Sequence, residues 1–154
     1  MKLYLVQHAK ALSKEQDPDR PLSEEGRAEL NKIAAFIRPL NLSVDYLWHS
    51  GKKRAAQTAE ALAQVITIEK TQTALDGLGP NGDVAAFAKK LTRSDRNIMV
   101  VGHLPFLSKL AALLLNKDES AWTIAFRNAA VVCLDRTENN QWQLDWIVTP
   151  DIIG

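Results

Sequence analysis

The stretch Leu3-Tyr4-Leu5-Val6-Gln7-His8-Ala9-Lys10-Ala11 is an apolar run that stops abruptly at a histidine. Consecutive apolar residues such as Leu3 to Val6 are typical of a β-strand that is buried on both faces. In open α/β sheets, ligands bind beyond the carboxyl ends of the strands. Because His8 follows directly after the apolar run, it is predicted to lie at the ligand-binding edge of a sheet.

A second histidine stands in the same context. The stretch Ile98-Met99-Val100-Val101-Gly102-His103-Leu104-Pro105 again leads an apolar strand into a histidine and then into the start of a helix. Two strands that end in the same way can bring their histidines to one edge of a sheet, so His8 and His103 predict a single site. The remaining histidine, His49, precedes Ser50 and Gly51 and is interpreted as a turn residue.

Strands and helices alternate along the chain. Apolar residues at helical spacing predict helices that begin near Ser23, Lys52, Asp83 and Pro105. Strands are predicted before these helices, with a short one at 65–68 and a terminal pair at 129–134 and 142–148. This order predicts the α/β class, with a three-layer α/β/α architecture and a mostly parallel sheet. The length of 154 residues fits a single domain over 1–154.

Composition excludes several classes of protein. A net charge of +1 gives no overall field that would attract nucleic acid or an anionic membrane. The tryptophans are scattered without basic residues between them, so they are predicted to pack in the core or at its rim rather than to form a nucleic-acid platform. The single Cys133 excludes a disulfide within the chain. No stretch approaches a signal peptide or the ~20 apolar residues of a membrane span, which predicts a cytoplasmic protein.

Basic residues are predicted to meet the two histidines at the strand ends. Arg54 lies in the first turn of a predicted helix, where a cation opposes the helix dipole, and an anionic ligand would account for that position. Arg20 lies in a polar, turn-rich loop above the same edge. Free helix N–H groups and guanidinium groups favour phosphate. No metal site is predicted, because the histidines have no neighbouring ligands at metal-binding spacing.

His8 is the candidate nucleophile. A histidine attacks phosphorus through an unprotonated ring nitrogen, and a hydrogen bond from its other N–H to a backbone carbonyl would aim that nitrogen. The histidine pattern alone leaves a structural role for these residues open.

Four motifs in this order resemble the histidine phosphatase superfamily, specifically its short SixA-type phosphohistidine phosphatase branch. The motifs are Leu5-Val6-Gln7-His8-Ala9-Lys10-Ala11, Arg20-Pro21-Leu22-Ser23-Glu24-Glu25-Gly26, Ser50-Gly51-Lys52-Lys53-Arg54-Ala55-Ala56-Gln57-Thr58-Ala59 and Val101-Gly102-His103-Leu104-Pro105. The resemblance implies a phosphoglycerate-mutase-like fold and a covalent phosphohistidine at His8. It also implies phosphate contacts from Arg54, His103 and Arg20, with neither a metal nor another cofactor.

One position departs from the family signature, which is Arg-His-Gly and here is Gln7-His8-Ala9. A glutamine amide offers two neutral donors in place of a charged guanidinium. Loss of one preorganised donor typically costs ~10²–10³ in rate, so reduced or lost activity is predicted. Lys10 is the residue that could compensate as a phosphate ligand. A non-catalytic phosphate- or phosphoprotein-binding module is therefore an alternative to a phosphatase.

The predicted substrate follows from the leaving group. The chain has no insertion with an obvious carboxylic acid, which an alkyl phosphate ester needs to protonate its leaving oxygen. The imidazole of a phosphoramidate is a better leaving group and depends less on such an acid. The sequence therefore favours phosphohistidine on a signalling or carrier protein, with inorganic phosphate as the product. A small-molecule phosphatase of the same fold is the other alternative, although the short chain leaves little lid to enclose a metabolite.

Overall fold

The first strand, β1 (Lys2–Gln7), lies inside a six-stranded sheet in the computed structural model, which describes residues 1–154. It pairs in parallel with β4 (Ile98–Gly102) and antiparallel with β5 (Val131–Arg136). Because β1 has a neighbour on each side and helices above and below, its apolar run is excluded from water in every direction. This is the physical reason for the uninterrupted pattern from Leu3 to Val6.

The sheet is mixed and mostly parallel, as predicted. Its other strands are β2 (Ser43–His49), β3 (Thr67–Ala74) and β6 (Trp142–Val148). The strand order is β3-β2-β4-β1-β5-β6, and only the pairings of β5 with β1 and β6 are antiparallel. The parallel strands β1, β2 and β4 therefore end at the same edge.

Four helices cover the two faces of the sheet, which confirms the three-layer α/β/α prediction. They are α1 (Glu24–Ile37), α2 (Lys53–Ala63), α3 (Val84–Thr92) and α4 (Phe106–Asn116). Short 3-10 helices occupy Arg38–Leu40 and Pro150–Ile152. None of the helices combines the length and the apolar character needed to cross a membrane.

Alternate residues of β1 enter two separate cores. Tyr4 and Val6 pack with the buried residues of α1 and α2, whereas Leu3 and Leu5 pack with those of α3 and α4. This alternation follows from the period of two in a strand, and it holds both helix layers to the strand that ends at His8.

Two local predictions are wrong. The short strand expected at 65–68 is β3, which begins at Thr67 and continues to Ala74. Its residues are mostly exposed because β3 is an edge strand, so no apolar alternation marks it in the sequence. Trp122 packs neither in the core nor at its rim, because it lies in the irregular segment after α4 with 99% of its surface exposed.

Candidate active site

The ring of His8 is oriented by the backbone that follows it. Its Nδ1 lies 2.7 Å from the carbonyl oxygen of Ala9. A carbonyl can only accept, so Nδ1–H donates and Nε2 of the neutral ring carries the lone pair. Burial lowers the pKa of His8 below its ordinary value, and the nearby charges of Arg54 and Arg20 lower it further, although the Ala9 bond opposes this. The ring is therefore neutral at neutral pH with a free nucleophilic nitrogen.

The backbone around His8 is fixed from three directions. The N–H of His8 donates to Gly102 on β4 at 3.0 Å, and Nδ2 of Asn128 donates to the carbonyl of His8 at 2.9 Å. The fully buried hydroxyl of Thr58 accepts from Ala9 N–H at 3.0 Å and donates to the carbonyl of Arg54 at 2.8 Å. Thr58 thus ties the His8 segment to the first turn of α2.

The second histidine lies beside the first, as its strand-end position predicts. The ring centroids of His8 and His103 are 5.0 Å apart. His103 is 2% exposed, and its Nε2 lies 2.6 Å from the hydroxyl of Ser50, which follows β2. Burial lowers the pKa of His103 to about 3, with further contributions from His8, Arg54, Lys52 and Arg20. His103 is therefore a neutral hydrogen-bonding group.

Two arginines supply the positive charge near the histidines. Arg54 lies in the first turn of α2, where burial, with a contribution from Arg20, lowers its pKa. Arg20 has a left-handed backbone (φ 49°) and donates from Nε to the carbonyl of Leu12 at 2.9 Å. Both arginines line one cavity of about 580 Å³, and Arg20 also lines an adjoining cavity of about 360 Å³ with His8. Arg20 therefore borders the space next to His8, and Arg54 is close enough for its charge to lower the pKa of both histidines.

Unpartnered polar atoms concentrate in these residues. Four buried side-chain nitrogen or oxygen atoms of the chain lack a hydrogen-bond partner, and three of them are Oε1 of Gln7, Nε of Arg54 and Nδ1 of His103. A buried polar group without a partner costs about 1–3 kcal/mol, and such groups occur where a ligand or a functional role accounts for them. Their concentration in residues of one sheet edge indicates a site for a polar ligand.

Lys10 differs from the other predicted phosphate ligands. It lines the same cavity as His8, but its Nζ lies 2.6 Å from Glu25 and 3.5 Å from Glu29. Its charge is thus already balanced by α1. Gln7 ends β1 next to His8, and its amide makes no hydrogen bond through Oε1.

Sequence reasoning missed three side chains that support the histidines. Ser50 appeared only as part of a turn, although its place directly after β2 was a usable signal. The position of Thr58 inside a predicted helix was a weaker indication that it supports the site. Asn128 gave none, because it lies 120 residues from His8 in an irregular segment. No three histidine, cysteine, aspartate or glutamate side chains come together in an arrangement that could hold a metal ion.

Acid is expected to destabilise the fold through His103. The pKa of this group falls from its ordinary 6.5 to about 3 on folding, so only the unfolded chain gains a proton as the pH falls between these values. Stability that is fully present above pH 6.5 is therefore lost on acidification, by about 1 kcal/mol between about pH 6 and about pH 5. Urea unfolding at the two pH values measures the loss, and in His103→Gln the loss should be smaller by that amount. Equal losses in the two proteins would contradict the prediction.

Comparison with known proteins places the chain in a family. The sequence model of the histidine phosphatase superfamily (branch 1) matches residues 3–76. An uncharacterized protein of Picosynechococcus sp. is 33% identical over 118 residues, which cover 72% of this chain and 71% of that protein. Phosphohistidine phosphatase SixA of Escherichia coli K12 is 24% identical over 155 residues, which cover 97% of this chain and 94% of SixA.

The fold comparison agrees with the sequence comparison. A structure of the protein histidine phosphatase SixA complexed with tungstate has a TM-score of 0.84 and 23% identity, and the match covers 99% of each chain. The matched fold is the phosphoglycerate-mutase-like α/β fold that the resemblance implied. The chain belongs to the histidine phosphatase superfamily, and SixA is a relative that matches it over nearly its whole length.

Proposed function

We propose that this protein is a cytoplasmic, metal-independent phosphatase that removes phosphate from a histidine of a signalling or carrier protein. The observation that carries the proposal is the state of His8. Its Nδ1 is held by the carbonyl of Ala9 at 2.7 Å, and its neutral ring keeps Nε2 available as a nucleophile. A buried second histidine and two arginines surround it, as phosphoryl transfer requires.

In the first step, Nε2 of His8 uses its lone pair to attack phosphorus. The new N–P bond forms as the N–P bond of the substrate phosphohistidine breaks, and the departing imidazole keeps the electron pair of that bond and takes a proton from water. Arg54 and Arg20 bind the phosphoryl oxygens, and His103 donates a hydrogen bond from its neutral ring. The carbonyl of Ala9 stabilises the positive charge that develops on the His8 ring.

In the second step, water attacks the phosphoryl group on His8. The N–P bond breaks, its electrons return to Nε2, and inorganic phosphate leaves with the oxygen of the water. His8 is regenerated, so the cycle consumes one water molecule for each phosphate released.

The proposed substrate is a phosphoramidate because the carboxylate that lines the cavity with His8 is already engaged by a lysine. Glu25 lines the cavity with His8 and is paired with Lys10 at 2.6 Å. An alkyl phosphate would need a protonated acid for its leaving oxygen, whereas an imidazole leaves more readily. The relative SixA of Escherichia coli carries the name phosphohistidine phosphatase, which supports the same substrate class.

The test is covalent labelling of the purified protein with phosphoramidate. We expect a phosphate on His8 that is labile in acid and stable in base, located by mass spectrometry after digestion at alkaline pH. A chelator should leave labelling and turnover unchanged. Loss of activity with the chelator, restored by a divalent ion, would overturn the metal-independent mechanism.

Gln7→Arg is expected to raise turnover of a small phosphodonor. The substitution restores the guanidinium of the family signature at the end of β1, where Oε1 of Gln7 is buried without a partner. A full electrostatic donor is worth ~2.7–4 kcal/mol in the transition state. We expect a smaller gain, because Arg54 and Arg20 already supply charge. Steady-state kinetics of the variant and of Gln7→Lys, which adds charge without a planar fork, measure the effect.

The same variant separates the phosphatase from its main alternative. Gln7 favours a non-catalytic phosphoprotein-binding module, because a neutral amide stabilises a transition state less than a guanidinium does. If Gln7→Arg binds phosphate but remains without turnover, the binding module becomes the better description. If it lowers an already substantial activity, Gln7 is an adapted part of the site.

A further inference from the structure

The cavity beside Arg54 is lined almost entirely by charge. Five of its eight lining residues are cations, one is a carboxylate and none is hydrophobic. The cations are Lys14, Arg20, Lys52, Lys53 and Arg54, and the carboxylate is Asp19. Since the whole chain has a net charge of only +1, this basic cleft is a local concentration of charge. Such a concentration attracts anionic partners and raises their rate of association.

The lysines of the basic cleft are not used by the fold. Lys14, Lys52 and Lys53 are exposed, and none of them forms an ion pair. Lys52 and Lys53 also stand at the start of α2, where positive charge is unfavourable for the helix dipole. Their position costs stability locally, and a negatively charged partner would offset that cost.

We propose that the basic cleft docks an acidic protein surface next to the phosphohistidine. This inference rests on the proposed function, and it narrows the substrate to proteins with aspartate and glutamate side chains near the modified histidine. The partner's carboxylates pair with Lys14 and Lys53, while its phosphoryl group reaches Arg54 and His8. Arg20, which lines both cavities, lies between the two sites.

The three lysines of the cleft favour a protein over a small polyanion, since the two arginines are assigned to the phosphoryl group. Lysine ammonium groups on long flexible stems adapt to scattered carboxylates, whereas compact phosphate recognition uses the rigid guanidinium fork. The absence of hydrophobic lining also removes the apolar contacts that a buried organic ligand requires. The interaction left to the cleft is pairing of its exposed cations with carboxylates of a partner, which is typical of transient protein association.

The test compares two short peptides, each with one phosphohistidine. One peptide has aspartate and glutamate on both sides of the histidine, and the other has serine and glutamine. We expect kcat/KM for the acidic peptide to be about 10-fold higher at low salt, and the difference to shrink as salt is added. In Lys14→Glu/Lys53→Glu the preference should be lost or reversed, while free phosphohistidine is hydrolysed at the wild-type rate. Lys14→Gln/Lys53→Gln should give an intermediate result.

The matched control is Lys32→Glu/Lys70→Glu, which makes the same change in net charge at exposed positions outside the cleft. It should keep the preference for the acidic peptide. Equal kcat/KM for both peptides in the wild type, or loss of the preference in the control, would overturn the docking proposal.

Binding of fluorescent, unphosphorylated versions of the two peptides tests docking without catalysis. If no phosphohistidine substrate is turned over but the acidic peptide still binds through Lys14 and Lys53, the proposed function fails and the docking surface stands. If tripolyphosphate binds the cleft and the acidic peptide does not, the occupant is a small polyanion and the proposal is wrong.

Discussion

We expect His8→Ala to abolish both turnover and covalent labelling while the free energy of unfolding changes by about 1 kcal/mol or less. His103 does not replace His8, because His103 is 2% exposed and its ring is held by the Ser50 hydroxyl at 2.6 Å from Nε2. The stability change is small because the His8 ring contributes one hydrogen bond, to Ala9, and belongs to neither hydrophobic core. The experiment thus separates chemistry from folding.

The measurements are phosphate release, labelling with phosphoramidate and urea unfolding. His49→Asn is the matched control, since His49 ends β2 and its ring accepts only the backbone N–H of Gly51, which an asparagine oxygen can also accept. The control should keep turnover and labelling. An acid-labile phosphate that persists in His8→Ala would remove His8 as the nucleophile.

Arg54→Ala is expected to lower kcat by ~10²–10³ and to weaken inhibition by inorganic phosphate as well. Both effects follow because a guanidinium contacts the phosphoryl oxygens before and during transfer. Stability should not fall, because burial already disfavours the charge of Arg54 and Nε has no partner in the fold. Arg54→Lys should recover part of the affinity but less of the rate, since lysine lacks the planar fork.

Steady-state kinetics with phosphate as a competitive inhibitor measure both kcat and the inhibition constant of phosphate. Arg27→Ala, which removes an exposed cation from α1, serves as the control and should behave as the wild type. Unchanged phosphate affinity in Arg54→Ala would exclude Arg54 from the site.

The sequence predicted the centre of this site because parallel strands impose it. β1 and β4 pair in register, with Gln7 opposite Gly102, so the histidine that follows each strand must emerge at the same edge. The position of Arg54 was predictable for a similar reason, because α2 begins at that edge after β2. These relations depend on strand direction and helix order, which local patterns encode.

The parts that could not be predicted depend on contacts across long sequence separations. Lys10 was expected to face phosphate, but α1 folds back so that Glu25 and Glu29 reach its ammonium. The close approach of α1 is possible because residue 26 is glycine, where a Cβ would lie 2.0 Å from the carbonyl oxygen of Lys10. No periodicity in the sequence shows such a contact.

The central place of β1 has a consequence for biosynthesis. His8 leaves the ribosome well before β4 and β5, the two neighbours of β1, and Asn128, which binds the carbonyl of His8, lies 120 residues downstream. At ribosomal speeds this interval is on the order of ten seconds. Until then the apolar run of β1 is a strand without neighbours, which a nascent chain must shield from aggregation. The backbone of His8, the proposed nucleophile, is thus fixed in part by a residue that is synthesised 120 positions later.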